Sequence, residues 1–180
     1  MVGQLNACIV GVFFLVSAWT KFRDPLAFVD VAKGYFPRYA LRAAAWARWI
    51  APVELLIAAS ILSLIPWLLA FGLPVAVAFL IGTTALVARR VMRGERTFRC
   101  GCGVDLSAAH LGSTLLFRNS VLLALVISAL ALPRPDLDWT AAASLYLVSA
   151  GLYVAWRLLG AFARGLRILS EWKEYGSPLT

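Results

Sequence analysis

Two cysteines one residue apart, Cys100-Gly101-Cys102, are the first residues whose types and spacing can do chemistry. A ring closed between them needs a sharp backbone bend, which Gly101 permits because it has no Cβ. A disulfide requires Cα atoms roughly 4.4–6.8 Å apart, so a bond across one residue is strained and easily reduced. Labile bonds of that kind serve catalysis or regulation. Arg96 and Arg99 lie just upstream and favour a thiolate. On spacing alone the pair is either a redox couple or two reduced thiols in a loop. Joined to His110 it would supply three metal ligands. Neither that spacing nor that count fits a common zinc pattern, so no metal site is expected.

Glu54 is the second candidate. It follows Pro52 within an apolar run, where an ionisable group is expensive and faces the bundle interior or a cavity. It reads either as a proton acceptor or ligand anchor, or as a structural carboxylate paired with Lys21 or Arg118. Lys21 closes the first apolar run, and Arg118 and Asn119 open a later one. The third cysteine, Cys8, falls near the start of the first run and reads as a small apolar contact residue. The single histidine, His110, reads as solvated.

The elements that must position these residues follow from composition. Apolar residues make up 62% of the 180, and mean hydropathy is +0.82, well above a soluble domain. Continuous apolar runs of near-bridging length fall at 5–22, 50–65, 67–88, 115–132 and 139–160. Membrane-spanning strands are not expected, because the runs do not alternate. The expected class is therefore all-α, an integral membrane helical bundle over 1–160. The second and third runs form a hairpin turning at Pro66. In the tail, 161–180, Phe162, Leu166 and Leu169 share a face opposite Arg164 and Arg167, the pattern of an amphipathic interfacial helix.

Net charge is +8, from 17 Lys and Arg against 9 Asp and Glu. With five crossings, every Lys and Arg except Arg134 lies on one side of the membrane. By the positive-inside rule that side is cytoplasmic and the N-terminus is outside, as in a bacterial inner-membrane protein. Basic residues spread between spans are no nucleic-acid module. Neither a phosphate-cradling glycine loop nor a Ser-His-Asp pattern is found. The first run is read as a retained helix because no basic segment precedes it. On the basic side, Asp24-Pro25 reads as an N-cap with proline at the first helical position, and Gly34 and Pro37 end that short helix. This topology brings Cys100, Cys102, Glu54, Lys21, Arg118 and Asn119 to one face.

A family resemblance emerges from these residues. Ser17-Ala18-Trp19-Thr20-Lys21-Phe22-Arg23-Asp24-Pro25 resembles the end of the first helix in MauE/DoxX-like membrane proteins. Trp49-Ile50-Ala51-Pro52-Val53-Glu54 is similar to their second helix, and Cys100-Gly101-Cys102 with Arg118-Asn119 resembles their cysteine pair and the opening of the next helix. Gly103-Val104-Asp105 departs from the family's Phe-Gly, and Ala18 stands where glycine is common. The resemblance covers roughly 5–132 and implies a four-helix DoxX-like core, with the fifth span and tail outside it. It further implies a redox-associated bundle. MauE is linked to maturation of methylamine dehydrogenase, and DoxX-like proteins to thiol, sulfur and quinone chemistry. Carried over, Cys100 and Cys102 are the redox pair, with Glu54, Lys21, Arg118 and Asn119 around them as the ligand- or proton-handling set. The implied function is a thiol–disulfide oxidoreductase serving a thioredoxin-fold or membrane-complex partner, with a quinone as the candidate cofactor. The alternatives are a non-enzymatic assembly or scaffold subunit and a quinone or small-ligand protein centred on Glu54. Maturing an exported client requires oxidising power outside, whereas the charge count puts the cysteines inside. Either they exchange electrons with a cytoplasmic thioredoxin-like donor, or their loop folds into the bundle.

Overall fold

The computed structural model describes residues 2–94, 97–99, 109–132, 140–156 and 158. Four helices are long and apolar enough to cross a membrane: α1 (Val2–Arg23), α3 (Ala40–Leu62), α4 (Pro66–Met92) and α5 (Gly112–Ala131). A short helix, α2 (Pro25–Tyr35), and a 3-10 turn (Pro37–Tyr39) join α1 to α3. A small antiparallel ribbon, β1 (Thr97–Arg99) and β2 (Ala109–Leu111), stands between α4 and α5, with Phe98 opposite His110. A further apolar helix, α6, spans Thr140–Trp156.

The four long helices run alternately up and down and close into a ring. The Asn6 side-chain amide donates to Ser128 Oγ at 2.6 Å, setting α1 antiparallel to α5. A Cβ on Gly11 would meet Leu62 at 2.8 Å, and one on Gly72 would meet Ser60 at 2.9 Å. Glycine there lets α1 approach α3, and α3 approach α4, more closely than any side chain allows. Ala7, Val10, Phe14, Ile61, Leu73, Ala76, Val126 and Ala129 fill the core between them. At most 50% of any spanning window is buried inside the protein. The remaining apolar surface faces lipid, and the chain is a multi-pass membrane protein.

The α3–α4 hairpin turns over Ser63, Leu64 and Ile65, and Pro66 takes the first position of α4, where its missing N–H costs nothing. Leu64 adopts φ 54°, a conformation that glycine takes more readily. At this end the Tyr146 hydroxyl of α6 donates to the Leu62 carbonyl.

The start of α3 differs from the sequence reading. Helix α3 begins at Ala40, ten residues before the expected span. Hydropathy falls at Arg42 and Arg48, but alanines at 40, 43, 44, 45 and 47 propagate a helix regardless of polarity. The described part of the fifth helix is 140–156, and the expected amphipathic tail at 161–180 lies outside the described residues.

Candidate functional site

The site begins with two buried stripes. On α1, Phe14, Ser17, Ala18 and Lys21 recur at helical spacing and all face inward. On α3, Ala47, Ala51, Glu54, Ala58 and Ile61 do the same. Small residues on both stripes let the backbones close in, and the two charges meet between them. Lys21 Nζ donates to Glu54 Oε2 at 2.5 Å, to Glu54 Oε1 at 2.7 Å and to Ser17 Oγ at 2.7 Å. The Ser17 hydroxyl in turn donates to Glu54 Oε1 at 3.3 Å. An ammonium has three donors, and all three are satisfied.

Both charged side chains are 1% exposed. Burying either ion alone would cost several kcal/mol, roughly 3–5 when one member of a buried pair is removed. Mutual compensation makes the arrangement tolerable in a low-dielectric bundle. Pro52, two residues before Glu54, lies inside α3. Its absent N–H is tolerated in a spanning helix where neighbours satisfy the backbone.

Helix α2 covers this centre. The Asp24 carboxylate accepts from the Ala27 N–H at 3.1 Å, capping α2 as the sequence suggests. One turn later the Phe28 ring, itself buried, lies 5.1 Å from Lys21 Nζ, a cation–π contact that also excludes water. Phe28 rests on Ala47, with Ile50 beside them, and so ties α2 to the first half of α3.

The same end of the bundle holds the start of α5. Tyr35 of α2, Val87 and Val91 of α4, and Leu115 and Leu116 of α5 form one cluster, and the Arg90 guanidinium stacks 4.6 Å from the Tyr35 ring. Arg118 lies 5.3 Å from the Phe13 ring and donates to Asn119 Oδ1 at 3.2 Å. Asn119 is 1% exposed.

Of the two cations the sequence offered to Glu54, the structure pairs Lys21 with it. Arg118 and Asn119 lie on α5 at the same end of the bundle. Cys100 and Cys102 lie outside the described residues, while the ribbon flanking them rises from this end, its last pair being Arg99 and Ala109. Cys8 is fully buried toward the opposite end. Two residues escaped the sequence reading as site residues. Ser17 carries a local signal, its four-residue spacing from Lys21. Phe28 carries none, because its role exists only once α2 folds back over α1 and α3. Among the described residues, no group of three or more His, Cys, Asp or Glu is placed to hold a metal ion.

Residues 1–132 match the family model described as methylamine utilisation protein MauE. No curated protein and no solved structure matches the chain.

Proposed function

Since the chain belongs to the methylamine utilisation protein MauE family, we propose that it is a membrane thiol–disulfide redox protein supporting maturation of, or electron transfer to, a partner in methylamine utilisation. Cys100 and Cys102 cycle between dithiol and disulfide. Oxidation of the pair releases two electrons and two protons, and the disulfide of a thioredoxin-fold partner takes them up and becomes a dithiol. Glu54 acts in this cycle together with Lys21, as one polar unit handling the accompanying protons. The bundle sits in the inner membrane with its basic end cytoplasmic.

One observation carries this reading. The ribbon strands that flank the cysteines in sequence stand at the bundle end where Lys21, Glu54 and Ser17 converge. A redox loop and a buried acid–base centre at one end can share protons, whereas the same groups at opposite ends of a ~30 Å span cannot.

The test is mass-tag trapping of free thiols in membranes under reducing and oxidising conditions, alongside client activation. Wild type gives a two-thiol shift between the conditions. The Cys102→Ser variant loses it, accumulates a mixed disulfide through Cys100, and lowers client activation by about tenfold or more. An unchanged trapped state and unchanged activation in Cys102→Ser overturn the proposal.

A further inference from the structure

Three arginines at the basic end of the bundle have no partner among the described residues. From Val31 to Val53 the chain holds four basic residues, Lys33, Arg38, Arg42 and Arg48, and no Asp or Glu. Lys33 pairs with Asp30. The side chains of Arg38, Arg42 and Arg48 are exposed and make no ion pair or hydrogen bond among the described residues. Arg42 stands at the head of a stripe. At 3.6 residues per turn, Arg42, Trp46, Trp49, Val53 and Leu56 fall within about 80° of one another on α3. All five are exposed, Trp46 by 73% and Trp49 by 69%. They lie on the side of α3 opposite the buried Ala47, Ala51, Glu54 and Ala58.

The order along this stripe is the order of groups along a phospholipid. With a rise of 1.5 Å per residue, Trp46 lies about 6 Å below Arg42, Trp49 about 10 Å below it, and Val53 and Leu56 about 16 and 21 Å below it. The polar zone of each leaflet is roughly 5–8 Å deep outside the hydrocarbon core. Charge therefore stands at phosphate depth, two indoles at the depth of the glycerol esters, and aliphatic side chains along the acyl chains. An indole suits the middle level, because its ring is apolar and its N–H donates. The outer face of α4 at the same end of the bundle is built differently. Its exposed Arg89 stands above exposed Ala85, Gly82 and Ala78, so a cation is present there without an aromatic seat beneath it.

We propose that the outer face of α3 from Arg42 to Leu56 binds one anionic phospholipid. Arg42 holds its phosphate, Trp46 and Trp49 seat its glycerol region, and Val53 and Leu56 line its first acyl carbons. The lipid is anionic because a zwitterionic headgroup brings its own cation to the phosphate and gains little from a guanidinium. A headgroup with net negative charge answers the unpaired charge of Arg42 and of Arg38, four residues earlier, with no acidic side chain on this stretch to compete. A guanidinium also pairs with two phosphate oxygens at once. No cysteine and no member of the Lys21–Glu54 centre takes part, so the proposal stands or falls independently of the redox reading.

The test titrates the full chain in a mild nonionic detergent with dioleoyl phosphatidylglycerol or dioleoyl phosphatidylcholine and counts bound lipids by native mass spectrometry. The first phosphatidylglycerol should bind about fivefold or more tighter than the first phosphatidylcholine, the value of one basic residue facing an anionic headgroup. Arg42→Gln should remove about fivefold of that preference. The Trp46→Ala/Trp49→Ala variant should weaken both lipids and leave their ratio unchanged, because the indoles seat a region the two lipids share. Arg89→Gln, which removes the same charge where no indole lies beneath it, should change the ratio by less than about twofold. Equal binding of the two lipids by the wild type overturns the proposal and leaves the arginines to an acidic protein segment. Equal losses in Arg42→Gln and Arg89→Gln, in variants that keep their helix content, overturn it in favour of a diffuse surface charge.

Discussion

The two halves of this bundle hold their helices together by different means. Toward the α3–α4 turn, contact between the spanning helices is mainly steric, with the Asn6–Ser128 hydrogen bond between α1 and α5 beside it. Gly11 and Gly72 bring backbones within reach, and alanine, valine, leucine and isoleucine side chains interlock. Toward the opposite end, one lysine, one glutamate and one serine form a closed hydrogen-bonded unit beneath the Phe28 ring. In lipid there is little hydrophobic gain from joining two apolar helices, so packing must be close to count. The charged unit needs little packing precision, but it needs every member. The first half should therefore degrade by degrees and the second should fail as a whole.

The sharpest way to break that contrast is to remove one charge. Lys21→Met or Glu54→Leu alone should cost about 3–5 kcal/mol, whereas the double variant should recover most of the loss. Thermal unfolding in detergent checks this, and additive losses would show that the two residues are not a unit. In the steric half, Gly11→Val and Gly72→Val should each cost about 1–3 kcal/mol by overpacking. Gly82→Ala, which meets nothing within 4 Å, should cost nothing measurable in the same assay. Phe28→Leu keeps apolar cover but removes the ring face from Lys21, and should cost up to about 2 kcal/mol. That loss should vanish in the Lys21→Met/Glu54→Leu background. Smallest of the measurable losses, Asp24→Ala should cost about 1 kcal/mol through the lost cap of α2. It should also raise hydrogen exchange at Ala27 and Phe28 while leaving the α3–α4 end unchanged.

Much of the frame was legible in the sequence because lipid leaves so few choices. The four long helices lie where the apolar runs place them, and Asp24-Pro25 announced α2. The start of α3 was not legible from hydropathy, because Arg42 and Arg48 end an apolar window without ending a helix. Glu54 stood out as a charge inside a span, and its partner was narrowed to two cations. Choosing Lys21 required knowing that Lys21 and Ser17 share the inward stripe of α1. Phe28 could not be found from sequence, since nothing local distinguishes a ring that caps a charge from one that faces lipid. Asn119 was visible as a polar residue at a helix start, but the hold of Arg118 on its Oδ1 appears only in the structure.

The contact that seats α6 constrains only one of its two sides. Tyr146 reaches a carbonyl in the last turn of α3, a main-chain acceptor present there whatever side chain occupies position 62. The family match ends at residue 132, before α6 begins. For this bond, then, α3 contributes only main chain, so substituting the side chain at position 62 leaves the acceptor of Tyr146 in place.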